Sequence, residues 1–439
     1  MPDGRNGDSR AGLNRSRLAS SALDADVLVV GAGAAGIAAA RRLRELGRSC
    51  LVLEAGARVG GRAWTDAAGL DLGASWLHVA EHNPLTPLAR TLGFTLHDDG
   101  RRQRDLLLAH GGRLATPEER AAYDAACEAW EAAAATHAAM GGPDIPLAEA
   151  VPRGGPWDAT VTHWFGAIIN GIEATRSSLQ DYAATLLEGQ NLQLREGIGT
   201  LLARLAEGLP LRLATPALRI IDGQVVETPA GPLQARAVIV TVSTGVLADA
   251  PAGGGLRFDP PLPAEVRAAI AGLPLAPVMK VALRVVGEER FGLRPFARLS
   301  RMVEGAEDRP ISWMLWPFGR PWAVGYLGGR LAESMPDAGT AEAAARAELA
   351  RYFGAETVAR SFPEAATVAH WAADPLFRGG YSYARVGAAG ARAVLAGAAL
   401  AEGRLRFAGE ACHSRYAGTV GGAWDSGVRA AEATHAALG

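Results

Sequence analysis

Residues 26–65 read DVLVVGAGAAGIAAARRLRELGRSCLVLEAGARVGGRAWT, and the order of apolar, small and acidic positions in this stretch decides the fold class. An apolar run from Val27 to Val30 enters a turn carrying Gly31, Gly33 and Gly36. A helix-competent run from Ile37 to Leu46 follows, and a second apolar strand ends at Glu54. This order predicts a βαβ unit that binds a dinucleotide. Gly31 permits the tight turn, Gly33 lets the backbone approach a pyrophosphate, and Gly36 lets helix and strand pack closely. The phosphates then sit at the helix N-terminus, beside Ala35, where N–H groups and the positive dipole end favour anions. Glu54 lies 18 residues past Gly36, about where an acid reaches ribose hydroxyls.

A glycine turn alone says little in a chain with 54 glycines. Its flanking strands and acid give it weight, and the next turn selects the cofactor. Gly60-Gly61-Arg62 follows the acid-bearing strand directly, placing further N–H donors and a guanidinium on the same pyrophosphate. Nicotinamide enzymes seldom need this second clamp, so the reading tilts toward FAD.

The chain has 439 residues, more than one core comfortably serves, so two domains or one domain with a large insertion are expected. A formal net charge of −2 without a sustained basic block argues against nucleic-acid partners and a membrane-attracted surface. Cys50, Cys127 and Cys412 are too few and too scattered for a disulfide framework or a zinc site. No window approaches the roughly 18 consecutive apolar residues of a membrane span. Residues 1–23 lack the apolar core of a secretory signal and read as a flexible tail. A cytoplasmic protein acting on small soluble molecules is the expectation.

Further along, Leu70 to His78 (LDLGASWLH) reads as a strand closing into a turn. Residues 117–140 start with Pro117 and acids in the first turn, the signature of a helix start. The helical texture continues to about residue 195, with Trp157, Trp164 and Tyr182 read as core aromatics, so residues 97–194 form a mostly helical insertion. Short β segments follow at Leu211 to Leu213, Leu218 to Ile221, Gln224 to Glu227 and Ala237 to Val242, with a hairpin at Asp222-Gly223. After a short helix, Ala264 to Gly272, the alternating run Val278 to Val285 carries Lys280. A lysine normally marks a wet or edge strand, but here apolar neighbours surround it. Trp313 to Leu327 is aromatic and β-like, and Thr340 to Phe353 is helical. The run RGGYSY at Arg378 to Tyr383, FAGE ending at Gly409-Glu410, and YAGTVGGAWDSGVRAAEA from Tyr416 form a last block. There a strand, a glycine turn and a final helix set another helix N-terminus beside the ligand.

Together, GAGAAG with Glu54, GGR, DLGASWLH, the strand lysine, RGGYSY, FAGE and YAGTVGGA resemble, in order and across residues 26–437, the flavin-dependent amine oxidases. That superfamily holds monoamine oxidases, polyamine oxidases and lysine-specific histone demethylases, and the tail is most similar to the polyamine oxidase side. The resemblance implies an α/β fold: a Rossmann-like FAD-binding domain of mixed sheets, interleaved with an α+β substrate domain that includes the helical insertion. It implies a flexible tail at 1–23, the FAD-binding domain at 24–96, 195–272 and 396–439, and the substrate domain at 97–194 and 273–395. Gly31, Gly33, Ala35, Gly36, Glu54, Gly61 and Arg62 would bind the ADP half. Ala74, Ser75 and Trp76 would pass beside the flavin, Ala217 would present its backbone to the adenine, and Gly409, Glu410, Thr419 and Val420 would meet the ribityl-phosphate side. Lys280 would hold a water near flavin N5, and Tyr381 would form one wall of an aromatic cage.

Two departures from the family pattern sharpen this. The cysteine that anchors flavin covalently in monoamine oxidases aligns with Gly380, so FAD is expected to bind non-covalently. The second cage wall aligns with Thr419, leaving the cage half open. Trp76, His78, Tyr182, Trp316, Tyr381 and Thr419 are the candidate substrate-pocket residues. The implied reaction oxidises a primary or secondary amine at its α-carbon, with O2 reduced to H2O2. A related FAD desaturase or biosynthetic oxidase, and a non-catalytic flavoprotein, are the alternatives. The identity of the amine and the oligomeric state stay open, a homodimer being one outcome.

Overall fold

Val27 to Val30 are buried at every position because their strand, Ala25–Val30, lies between two parallel partners. Those partners are Cys50–Leu53 and Gly231–Val240, and Gly231–Val240 pairs in parallel with Leu405–Phe407 on its other side. The computed structural model describes residues 23–98, 105–248 and 255–439, so the expected N-terminal tail lies, but for Leu23, outside the described residues. The parallel strands belong to a mixed nine-stranded sheet. Leu211–Arg212 extends it past Cys50–Leu53, and the antiparallel pair Arg219–Ile221 and Val225–Thr228 extends it past Gly231–Val240. The hairpin between that pair turns at Asp222 and Gly223, both with positive φ, where Gln224 N donates to Ile221 O at 3.0 Å.

The helix Ala34–Glu45 crosses from the first strand to the second. It begins three residues before the expected Ile37, because Ala34 and Ala35 are strong helix formers directly after the extended Gly33. Gly36 packs against the turn it follows: a Cβ there would stand 1.9 Å from the carbonyl oxygen of Gly31, so a side chain is excluded. No side chain caps this helix, and its N-terminus opens toward the cavity described below.

A second sheet of six strands runs in the order Thr367–His370, Val278–Arg284, Trp322–Gly328, Ser312–Leu315, Ala297–Arg301 and Leu106–Leu108. Its pairs are antiparallel except the last. Val278–Arg284 is therefore an internal strand, buried at every position but Arg284, and Lys280 is no edge lysine. Helix Ala338–Phe353, capped by Asp337, which accepts from Thr340 N at 2.8 Å, packs its apolar face on this sheet.

The long helix Pro117–Ala139 begins with a capping box in which Thr116 and Glu119 satisfy each other's backbone N–H. Its buried Tyr123 and Trp130 pack with Trp157 and Phe165 in a separate core. The region from 144 to 195 is less regular than expected, with short helices Asp158–His163 and Leu179–Ala184, a π-helical turn Trp164–Asn170, and a strand Leu192–Leu194. LDLGASWLH is likewise not a strand. It makes only isolated bridges, Asp71 with Thr65 and Leu77 with Leu192, and the carbonyls of Asp71 and Gly73 accept from a lysine side chain. Among the described residues no helix is long and apolar enough to cross a membrane.

Candidate active site

One continuous cavity of about 1430 Å3 runs from the glycine turns of the first sheet to the face of the second. It exceeds the roughly 300–1,000 Å3 of an ordinary small-ligand pocket, which leaves room for a long cofactor and a substrate together. On the nucleotide side its wall includes Gly31, Gly33, Ala35, Glu54, Gly61, Arg62, Ala217, Gly409, Glu410, Thr419 and Val420. A Cβ on Gly33 would meet nothing within 4 Å, so the backbone there borders open space in which a phosphate fits.

The two acids differ in what they have left to give. Glu54 accepts from Ala32 N and Gly56 N, each at 2.7 Å, which leaves two of the four acceptor positions of its carboxylate for hydroxyls. Glu410 accepts from Ser382 N at 3.1 Å, Ser382 Oγ at 2.6 Å, Gly418 N at 3.0 Å and Arg62 Nη1 at 2.9 Å. Its four positions are taken. Burial opposes its charge, but Arg62 and Arg392 beside it hold the carboxyl below the usual range. Glu410 thus organises the site by tying the Ser382 segment and the Gly418 turn to Arg62, and Arg62 also donates to the Gly380 carbonyl at 2.5 Å.

On the substrate side, Lys280 is 7% exposed and donates to the carbonyls of Asp71 at 2.9 Å and Gly73 at 2.6 Å and to Ser75 Oγ. Burial lowers its pKa to about 8, although the Asp71 carboxylate pulls it up. Asp71, pushed up by burial to about 6, accepts from Thr65 Oγ1 at 2.5 Å and from the Ile198 backbone at the start of helix Ile198–Ala206. Trp76 lies parallel to His78, with Lys280 Nζ 5.8 Å and the Arg298 guanidinium 5.7 Å from its ring. His78 is held by Asn191 at 2.8 Å. Tyr381 faces the same space, its hydroxyl 2.7 Å from that of Tyr326 and 2.9 Å from the Ile169 carbonyl.

Most residues singled out in the sequence therefore reach this cavity, including Ala74, Ser75, Trp76, His78, Lys280, Tyr381 and Tyr182, which meets Trp130 edge-on. Gly36 does not line it and acts through packing alone. Trp316 is a correction. It is 1% exposed, sits in the core of the second sheet against Phe291, and is absent from the cavity wall, because its positive φ turns the chain there and sends the ring inward. Thr419 lines the cavity, yet its hydroxyl caps the last helix, Val420–Leu438, accepting from Gly422 N at 2.9 Å and donating to Tyr416 O at 2.8 Å. Sequence reading missed Tyr326, Arg298 and the acids Asp124, Glu128 and Glu131 of the long helix, all on the cavity wall. The acids at i, i+4 and i+7 share one helix face, a readable signal. Nothing local marks Tyr326 or Arg298.

Glycine turns and an acid on the parallel strands of the first sheet, set against a buried lysine and Tyr326 on the second sheet and Tyr381 from the loop beside it, define a site for a phosphorylated redox cofactor beside a small-molecule chamber. The chain belongs to the flavin containing amine oxidoreductase family, whose model matches residues 34–435. It is 30% identical over 504 residues to polyamine oxidase 1 of Oryza sativa subsp. japonica, covering 92% of this chain and 96% of that protein. Polyamine oxidase 3 of the same plant is 28% identical, with 92% and 88% covered. Lysine-specific histone demethylase 1 homolog 1, again from that plant, is also 28% identical over 92% of this chain, which spans 52% of that longer relative. The family's cofactor is FAD, and the residues present fit its non-covalent binding. At Gly380 a Cβ would lie 2.2 Å from Val278 Cγ2, so no cysteine side chain has room there.

Proposed function

We propose that this oxidoreductase oxidises a primary or secondary amine, with a polyamine-type substrate favoured over a simple arylalkylamine. The overall reaction is R-CH2-NH2 + O2 + H2O giving R-CHO, NH3 and H2O2. FAD, held by the glycine turns, Glu54 and Arg62, would supply the redox chemistry as the two-electron acceptor. The protein orients the amine and excludes water. Lys280 fixes the Asp71 to Ser75 loop against the cofactor wall, and Tyr381 bounds the path of the amine.

The observation that supports the polyamine side is the row Asp124, Glu128 and Glu131 on the cavity wall, which suits the second and third ammonium groups of a polycation. The test is peroxide release from purified yellow protein across polyamines, arylalkylamines, cyclic amines, amino acids and a methyl-lysine peptide, the last because relatives carry a demethylase name. Turnover of tri- and tetra-amines above monoamines supports the reading. Flavin that no amine reduces anaerobically overturns it in favour of a desaturase-type oxidase or a non-catalytic flavoprotein.

A further inference from the structure

Lys280 and Tyr326 are register partners on neighbouring antiparallel strands, so their side chains leave the sheet on one face, and both line the cavity. The direction of the hydrogen bonds around Tyr326 follows from counting protons. A phenol has one. Tyr381 places its proton on the Ile169 carbonyl at 2.9 Å, so the 2.7 Å bond between the two phenols is made by the proton of Tyr326. The oxygen of Tyr326 then has only acceptor capacity to offer the cavity.

The fold sets this direction. Ile169 belongs to the π-helical turn Trp164–Asn170, a local departure from the α-helical hydrogen-bond ladder that presents its carbonyl to a side chain. Gly171 follows with φ of 73°, and a Cβ there would stand 3.0 Å from the Tyr381 hydroxyl, so the approach of Tyr381 depends on a bare backbone. Burial holds the Tyr326 phenol well above its ordinary pKa, which keeps its proton in place.

We propose that Tyr326 is a specificity-determining residue whose oxygen accepts an N–H of the substrate's amine group, selecting amines that carry an N–H over quaternary ammonium groups. This rests on the amine-oxidase reading above. The test compares inhibition of the FAD-loaded enzyme by tert-butylamine, which has no α-hydrogen to lose, and by tert-butyltrimethylammonium, which has no N–H. In the Tyr326→Phe variant the inhibition constant for tert-butylamine should rise about tenfold, the loss of one hydrogen bond to a charged donor. That for the quaternary ion should stay within twofold, with flavin content unchanged. Tyr381→Phe, which removes the acceptor that orients Tyr326, should raise the tert-butylamine constant by a smaller factor, about threefold. Equal changes for both inhibitors, or none for either, in an active enzyme would overturn the role of Tyr326 alone. A wild-type enzyme that oxidises no amine would overturn the functional reading, and this inference with it.

Discussion

The two ends of the cavity are built from different materials. At the nucleotide end the work is done by backbone: Gly31 and Gly33 in the first turn, Gly61 in the second, and two carboxylates that are themselves held by backbone N–H groups. At the substrate end it is done by side chains that arrive from separate strands, loops and a helix, with Lys280, Tyr326, Tyr381, Trp76 and the acids of the long helix all lining one cavity across large sequence distances. The glycine turns and Glu54 of the nucleotide end are specified by spacing within residues 26–65 and so can be read along the chain, whereas Glu410 joins them from 348 positions beyond Arg62. A side-chain site depends on which strands become neighbours.

One network joins the two ends, and breaking it has the largest expected effect. Arg392 Nε donates to Asp181 Oδ1 at 2.7 Å and its Nη2 to Oδ2 at 2.9 Å, while Nη1 reaches Ser382 Oγ at 2.7 Å. Ser382 donates onward to Glu410, and Glu410 holds Arg62. Asp181 lies in the helix Leu179–Ala184, beside the cavity-lining Tyr182. Asp181→Ala leaves a buried guanidinium without its carboxylate and should cost about 3–5 kcal/mol in denaturant unfolding, with weakened FAD retention on gel filtration. A loss under about 1 kcal/mol, the range of exposed ion pairs, would show that the ends are independent.

This network also marks the limit of the sequence reading. The βαβ unit, the hairpin at Asp222-Gly223, the helices Pro117–Ala139 and Ala264–Gly272 and the lysine strand were all legible, because turn chemistry, caps and apolar periodicity are local. Asp181 and Arg392 are 211 positions apart, and neither carries a local sign that it will be buried. Trp316 shows the converse, since an aromatic in an aromatic run gives no clue to which face it takes. LDLGASWLH alternated like a strand but is shaped by Lys280, a partner over two hundred residues away.

Lys280→Met tests the substrate end next. It removes the donor to Asp71 O, Gly73 O and Ser75 Oγ, so the loop beside the cofactor loses its fixed position. A displacement of that kind costs on the order of 10²-fold in rate, and stopped-flow traces of flavin reduction and reoxidation should show it with FAD still bound. Unchanged kinetics in both half-reactions would remove Lys280 from the chemistry. The same variant has a pH signature. Folded Lys280 titrates at about 8, below its ordinary 10.5, so between these values the unfolded chain binds the proton and the folded chain does not. Wild-type stability should therefore rise with pH across that window relative to Lys280→Met, read by urea titrations at pH 7.5 and 10.

The smallest effect belongs to the acids at the cavity wall, and it separates a charged surface from a charged site. Glu128 is exposed, unlike the buried Glu410, so solvent and salt screen its attraction for a distant ammonium group. Glu128→Gln should raise KM for a triamine by a factor of about 1.4 to 5, corresponding to the roughly 0.2–1 kcal/mol of an exposed pair, while kcat stays put because no reacting atom is touched. The difference between wild type and variant should shrink as NaCl rises from 20 to 500 mM, and a monoamine, with no second charge to place, should show no difference at any salt. A salt-independent change would mean that Glu128 closes around its ligand as Glu410 closes around Arg62, and the contrast between the two ends of the cavity would then lie in chain distance alone, with burial no part of it.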